Sequence, residues 1–259
     1  LLWGQDVNLQ SSPLGSRDAS AGQRPVSDYY VQKTDGNLHC TSGHKAMPFE
    51  ICQRRGAYLL SASNLLVKDL AAIVKAWDPV SGVHYQHFVS EQVISTAKIL
   101  ESMGRLSYGE LAGERINIAL TTDSQEDEHS CFSDNTHRDI LLDAKGIQNS
   151  YLGRYQRIDG SVIQGQNIAD MLQALGHETL ASQLTDALEA TMSAAQAIDA
   201  KASSGMPFDM LIQQGVNQAE VSAMIKRLVE QTDLIEQVIV ALGLSSNALR
   251  QDTEQDIGV

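Results

Sequence analysis

The feature that most constrains the fold is a long, regularly spaced apolar run in the C-terminal third of the chain. Its members, all but one apolar, recur at alternating spacings of four and three: Val221, Ile225, Leu228, Thr232, Ile235, Ile239 and Leu242. Such spacing puts them on one face of an α-helix, and a run of three heptads is typical of a seam between packed helices. A similar run begins at Leu180 and continues to Ile198. The sequence therefore predicts a helical bundle.

Composition agrees with this prediction and excludes several classes of protein. Of 259 residues, 42% are hydrophobic, 5% are aromatic, and only 5 are proline and 19 glycine. This composition favours helices over the turn-rich strands of a β-sandwich. The formal net charge of −13 disfavours binding to the phosphates of nucleic acids, so no nucleic-acid partner is expected. No apolar run approaches the roughly 18 residues that a membrane span needs, so we expect no transmembrane span.

The N-terminal part of the chain has little periodic pattern. Residues 1–53 contain frequent glycine, proline and serine, which predicts a long irregular arm. Cys40 and Cys52 bracket part of it. A disulfide between them would staple the arm and indicate an oxidising compartment, whereas two buried free thiols would fit a cytosolic protein.

Helices are predicted over several stretches of the remaining chain. Apolar stripes predict helices over residues 54–77 and 90–103, and a helix that begins at Thr136 with a Thr-x-x-Asp capping box and ends at Gly153. We therefore expect an all-α fold of helical bundles, without strand hairpins. Its predicted parts are the arm 1–53, the helices of a first bundle and a connection at 54–104, and a C-terminal bundle at 105–259 that includes a polar segment, 123–139.

The polar segment carries the pattern closest to a metal site. Glu126 stands three residues before His129, and Asp134 three residues before His137. On a helix this spacing puts carboxylate and imidazole on one face, and the pair suits iron, zinc or manganese. The alternative is a solvated acidic turn that caps the next helix. Common zinc-protease, serine-hydrolase, nucleotide-binding and Cys-x-x-Cys motifs do not occur in the sequence.

Several segments together resemble the imelysin-like family, most closely its iron-regulated protein A branch. The matching segments are Leu1-Leu2-Trp3-Gly4-Gln5-Asp6, Ala21 to Tyr29, Cys52-Gln53-Arg54-Arg55, Gly109 to Arg115, and Gln125 to Gly153. The resemblance implies a two-bundle bacterial protein, periplasmic or attached to the outer membrane as a lipoprotein, and regulated by iron or active in iron uptake. The family is also filed among metallopeptidases.

The family's hallmark, Gly-x-His-x-x-Glu, stands in relatives directly before the segment that begins here at Leu1. The resemblance therefore implies that two presumed ligands come from an upstream fragment of the same protein or are lost. The Gly43-His44 pair has no glutamate at the required offset and does not replace them.

These observations lead to one principal hypothesis and two alternatives. The principal one is a periplasmic protein of iron handling that binds a divalent metal, iron or zinc, at a polar cleft, with Glu126, His129, Asp134 and His137 as ligands. Around this cleft the supporting residues are expected to be Gln5, Asp6, Arg54, Arg55 and Glu128. Arg54 and Arg55 could alternatively hold an anion or lock the arm. The alternative functions are a metallopeptidase with Glu128 as general base, and a non-catalytic module that recognises a protein or polysaccharide.

Overall fold

The computed structural model of the chain describes residues 31–32, 38–39, 41–42, 45–46, 48–131, 133–214, 218–245, 247 and 249–250. The chain divides into two compact units, residues 1–95 and 96–259. The fold is all-α, as the sequence predicts, and strands occur only as short two-stranded ribbons among the described residues. The predicted boundaries after residues 53 and 104 stay a prediction.

Among its described residues, the first unit contains two small ribbons and two complete helices. Its elements are β1 (Val31–Gln32), β2 (Leu38–His39), β3 (Thr41–Ser42), β4 (Lys45–Ala46), α1 (Phe49–Ala76) and α2 (Val83–Ser90). β1 pairs with β2 and β3 pairs with β4, both antiparallel. Most of the predicted arm lies outside the described residues. Cys52 is buried in α1 and forms a disulfide, while its predicted partner Cys40 lies outside the described residues, so that pairing stays a prediction.

A tight turn connects α1 to α2. The Asp78 carboxylate accepts hydrogen bonds from the backbone N–H groups of Ser81 and Val80, at 2.7 and 3.0 Å, in the manner of an Asx turn. Across the turn, the ring of Trp77 at the end of α1 and the ring of Phe88 in α2 meet edge to face, with centroids 5.2 Å apart. These contacts fix α2 against the end of α1.

The apolar stripe predicted for α1 is present but exposed. The exposed fractions of its members are 46% for Leu59, 58% for Leu66, 51% for Leu70, 55% for Ile73 and 44% for Trp77. By length and composition alone α1 could cross a membrane, since an 18-residue window has a mean hydropathy of 1.4 and none of it is buried. The sequence analysis did not anticipate such a helix, because Lys68 and Asp69 interrupt the apolar run.

The second unit is a bundle built around two long helices. Its elements are α3 (Gln92–Arg105), which starts in the first unit, a π-helical segment (Leu106–Asn117), α4 (Ile118–Thr122), a 3₁₀ turn (Gln125–Asp127), α5 (Thr136–Leu152), β5 (Arg154–Gln156), β6 (Val162–Gln164), α6 (Ile168–Ala174), α7 (Glu178–Ser203), α8 (Phe208–Leu211) and α9 (Ala219–Ala241). α7 packs against α5, α6 and α9, and α9 also packs against the π-helical segment.

The seam predicted from the C-terminal run forms the core of this unit. Six of its seven members are buried: Val221, Ile225, Leu228, Thr232, Ile235 and Ile239. The facing side of α7 buries Leu184, Leu188, Ala195 and Ile198. Periodicity therefore predicted both long helices and the sides that they bury.

The helix between residues 106 and 122 was not predicted, because acidic residues such as Glu110 and Glu114 give this stretch a polar sequence. Its first part is a π-helical segment, with hydrogen bonds from i to i+5, and its buried positions include Tyr108, Ala112 and Ile116. Inside it, the Ser107 hydroxyl donates to the Leu228 carbonyl at 3.0 Å, and Gln231 donates to Ser107 at 2.6 Å. These bonds satisfy the Ser107 hydroxyl and an N–H of Gln231 in the middle of the core, whereas the Gln231 Oε1 atom accepts no hydrogen bond from a described residue.

Two local predictions were wrong. α5 begins at Thr136 without a side-chain cap, because the Thr136 hydroxyl accepts a bond from the Ser130 backbone N–H at 3.0 Å instead of capping its own helix. β5 and β6 form a hairpin directly after α5, where no strands were expected. Gly153 does end α5 as predicted, with φ of +57° in the left-handed region.

Residues near the end of the described chain return to the bundle. Leu249 is 2% exposed, and a Cβ added at Gly104 in α3 would lie 2.3 Å from its Cδ1 atom. Arg250 stands over the ring of Tyr108 at 4.8 Å and pairs with Asp233 and Glu236 of α9. The glycine thus makes room for the returning leucine.

We expect Gly104→Ala to destabilise the protein although alanine is the better helix former. The new methyl group overlaps Leu249, and displacing that side chain should lower the free energy of unfolding by about 1–3 kcal/mol. In a Leu249→Ala background the overlap is absent, and the same substitution should stabilise by up to about 1 kcal/mol through helix propensity. Urea denaturation of the four proteins measures the difference, and equal effects in both backgrounds would contradict this account.

Candidate functional site

Three carboxylates are buried in the second unit, and we refer to them as the acidic cluster: Glu128, Asp134 and Asp209. Their exposed fractions are 5%, 7% and 4%. Glu128 and Asp134 belong to the connection between α4 and α5, and Asp209 lies in the first turn of α8. Buried carboxylates in proximity are uncommon, because each charge loses its hydration and repels the next.

Asp134 is the most constrained member of the cluster. Its φ of +53° lies in the left-handed region, and its backbone N–H donates to the Ser130 carbonyl at 2.9 Å. Neither carboxylate oxygen accepts a hydrogen bond from a described residue. Burial and the charge of Asp209 raise the pKa of Asp134 to about 7. A non-glycine residue held in this backbone region next to an unsatisfied charge is typical of functional sites.

The free thiol of Cys131 lies in the negatively charged environment of the acidic cluster. Burial, with contributions from Glu126 and the three members of the acidic cluster, raises its pKa to about 12. The side chain is therefore a neutral thiol at physiological pH.

His129 belongs to a different group of side chains. Its Nδ1 atom lies 4.0 Å from a carboxylate oxygen of Asp139, to which the Ser130 hydroxyl donates a short hydrogen bond. Asp143 is nearby: burial raises the pKa of this carboxyl, and His129 acts in the opposite direction. This group lies on and before α5, and the interactions of His129 are with Asp139 and Asp143.

His137 stands on α5 in a third environment. The side chain is half-buried, and its Nδ1 atom accepts or donates no hydrogen bond among the described residues. Burial lowers the pKa of His137, while the charge of Asp199 acts against this shift. Asp199 also pairs with Arg138 at 3.3 Å, which joins α5 to α7. His137 is therefore a neutral imidazole at neutral pH.

The predicted site residues are thus distributed over several environments. Asp134 and Glu128 share the acidic cluster, His129 faces Asp139, and Glu126 is exposed. Among the residues that the structure describes, no group of three or more histidine, cysteine, aspartate or glutamate side chains is arranged to hold a metal ion. The four-ligand set stays a prediction.

The supporting residues predicted around the cleft are only in part described. Arg55 is buried in α1, where burial lowers its pKa, whereas Arg54 is exposed. Gln5 and Asp6 lie outside the described residues.

Asp209 is the residue that sequence analysis missed. It follows Pro207 and Phe208 at the start of a helix of four residues, where a carboxylate is ordinarily explained by the helix dipole. Phe208 and Leu211 are both buried, and this apolar flanking is the one signal that Asp209 would be drawn inside.

A family model for imelysin, peptidase M75, matches residues 1–235. The chain belongs to the imelysin family. A search of curated proteins finds no match. The family suggests a metal, and the described residues of this imelysin fit one in charge and in atom type, since the acidic cluster offers hard oxygen donors. The number of these donors is too small for a complete metal site, which needs ligands in addition to Asp134 and Asp209.

We expect Asp134→Asn to stabilise metal-free imelysin in a pH-dependent way. The folded pKa of about 7 exceeds the ordinary 3.8, so the folded state binds more protons between these values and the wild type loses stability as pH rises through them. The variant should therefore gain about 2 kcal/mol in free energy of unfolding near pH 8 and little near pH 4.

Urea denaturation in the presence of a chelator measures this gain. Asp186→Asn is the matched control, because Asp186 is an exposed carboxylate on α7 and the substitution removes the same charge. An equal effect of Asp134→Asn at both pH values would contradict the assignment.

We also expect Cys131 to react slowly with iodoacetamide. At about pH 8 a thiol with a pKa of about 12 is almost wholly protonated, so folded imelysin should be alkylated at least about 100-fold more slowly than free cysteine. Mass spectrometry follows the reaction, and unfolding in urea should restore the ordinary rate. A folded protein that reacts as fast as the unfolded one would show that the thiol is neither buried nor surrounded by negative charge.

Proposed function

We propose that this imelysin acts in bacterial iron handling by binding a divalent metal ion at the acidic cluster. Asp134 and Asp209 are the anchoring carboxylates, and Glu128 is a third acid close to them. Side chains that rearrange on binding complete the coordination.

The observation that carries this proposal is the environment of the Asp134 carboxylate. Both oxygens are buried and neither receives a hydrogen bond from a described residue, while Asp209 adds a second negative charge. Leaving a buried carboxylate without a partner costs about 1–3 kcal/mol or more. A divalent cation removes this cost by compensating both charges, which is how buried carboxylates are commonly stabilised.

The chemistry of the donors favours iron over zinc. Oxygen donors suit Fe²⁺ and Mn²⁺, whereas structural zinc prefers cysteine and histidine ligands. Cys131 has a pKa of about 12 and remains protonated, so it is a poor metal ligand here unless a metal displaces its proton. His129 or His137 could contribute one nitrogen, as the sequence predicts, if the connection before α5 moves.

We also place the protein in the periplasm or at the outer membrane. The disulfide at Cys52 supports this part of the proposal, because disulfides persist in oxidising compartments and are rare in the bacterial cytoplasm. The exposed apolar side of α1 supports a further partner, the upstream segment that carries the Gly-x-His-x-x-Glu motif in relatives.

A peptidase remains the second candidate function, favoured by the position of Glu128. This carboxylate is 5% exposed within the acidic cluster, where a general base could act on a metal-bound water. Hydrolysis of labelled casein by the metal-loaded protein tests this function. The peptidase assignment requires a rate that Glu128→Gln lowers by at least about 100-fold.

Metal binding is tested with Mn²⁺, which stands in for Fe²⁺ and does not oxidise in air. We expect the chelator-treated wild type to take up one Mn²⁺ per chain at neutral pH, measured by the loss of the free-ion signal in electron paramagnetic resonance. Asp134→Asn and Asp209→Asn should each weaken binding at least about tenfold, because each removes a charged donor.

Asp186→Asn is again the control and should bind as the wild type does. Absence of stoichiometric uptake by the wild type would end the proposal. Equal weakening by all three variants would show that the effect comes from overall charge rather than from a site.

A further inference from the structure

The hairpin of β5 and β6 presents an exposed surface that the proposed function does not use. All six strand residues are exposed, and so is the turn between the strands. Large apolar side chains are among them, with exposed fractions of 55% for Tyr155, 46% for Val162 and 47% for Ile163, and Ile158 in the turn is fully exposed. An exposed group of this kind on a bundle marks an interaction site.

Hydrogen bonds within the hairpin show which backbone groups are available. The backbone N–H of Arg157 donates to the Ser161 carbonyl at 2.8 Å, and the backbone N–H of Gly165 donates to the Gly153 carbonyl at 2.9 Å. Hydrogen-bonded and non-bonded residue pairs alternate along an antiparallel ribbon. The backbone N–H and C=O groups of Tyr155 and Ile163, which lie opposite each other, therefore also point into the ribbon. The backbone groups of Arg154 and Gln156 therefore point outward, and they form the open edge of β5.

The side chains along this edge are basic and aromatic. Alternation puts Arg154 and Gln156 on one face of the ribbon, and Tyr155 and Arg157 on the other. Neither arginine forms an ion pair with a described residue. Asp159 is the one acid in the hairpin, and its carboxylate accepts bonds from the Ser161 backbone and hydroxyl at 2.9 and 2.6 Å.

We propose that the β5 edge binds an extended, acidic peptide segment of a partner protein, which adds to the hairpin as a third strand. The outward N–H and C=O groups of Arg154 and Gln156 pair with the backbone of the segment. Acidic side chains of the segment meet Arg154 on one face of the ribbon, and apolar ones cover Tyr155 on the other, while the charge of Arg157 adds to the attraction. Tyrosine and arginine are the residue types most often found at the energetic centre of such interfaces.

A membrane surface fits these observations less well. The apolar tip consists of Ile158 alone, and a charged Asp159 follows it directly. The net charge of −13 also repels anionic lipid headgroups. A lipid surface offers an open strand edge no ordered row of alternating donors and acceptors, whereas a peptide backbone does.

The test uses fluorescein-labelled peptides of about eight residues, read by fluorescence anisotropy with the full chain. One peptide alternates valine with glutamate, and the other alternates valine with lysine. We expect the acidic peptide to bind at least about tenfold more tightly, with an affinity that falls as salt rises. Arg154→Gln together with Arg157→Gln should weaken it at least about tenfold and reduce the salt dependence.

Two proline substitutions form a matched pair that tests strand addition. Gln156→Pro removes an outward N–H from the β5 edge, and Val162→Pro removes one from the opposite edge. We expect the first to weaken binding of the acidic peptide at least about tenfold and the second to leave it within about twofold. The arginine variants leave the backbone intact, so they remain informative if a proline disrupts the hairpin.

Three results would overturn the proposal. The first is no binding of the acidic peptide by the wild type, and the second is equal binding of both peptides. The third is binding of the chain to vesicles of phosphatidylglycerol that the arginine substitutions abolish while peptide binding is absent, which would assign the hairpin to a membrane surface. None of these outcomes bears on metal binding at the acidic cluster.

Discussion

The packing of α9 between α7 and the π-helical segment is the constraint on which the second unit depends. Leu228 illustrates it: the side chain is fully buried, and its carbonyl accepts the bond from Ser107. Gln231 adds a buried hydrogen bond to the same hydroxyl. Apolar burial supplies the stabilisation, and these polar bonds determine one register between the elements, since a shifted helix would leave them unsatisfied.

The period of burial and the polarity of the sequence explain which helices sequence analysis could predict. α5, α7 and α9 bury residues at spacings of three and four, and an apolar pattern with that period is visible in the sequence. The π-helical segment also buries Tyr108, Ala112 and Ile116 at spacings of four, but acidic residues such as Glu110 and Glu114 give the stretch a polar sequence. Its helix was therefore missed because of its composition rather than its period. α1 has the expected pattern, but a pattern alone does not show what covers an apolar face.

The acidic cluster shows the same limit for the candidate site. Asp134 could be singled out from local sequence, because carboxylates and imidazoles are dense around it. The inferred pairing with His137 assumed a continuous helix, whereas the described residues before α5 form a 3₁₀ turn (Gln125–Asp127) and a non-helical connection in which spacing does not define a face. Asp209 comes from a distant part of the chain, and only tertiary packing brings its charge close to Asp134.

Burial of charge connects these features to function. Burial of Asp134 opposes the folding of this unit, because neither of its carboxylate oxygens accepts a hydrogen bond from a described residue. The stability of the α7 and α9 seam offsets this cost. The arginines of the hairpin represent the opposite arrangement: they remain in water, where a charge costs little and is available to a partner. The chain thus places buried negative charge inside the bundle and exposed positive charge on an open strand edge. Charges of opposite sign in such different environments suit ligands of very different size, a small cation inside the bundle and an extended peptide at the strand edge, as proposed above.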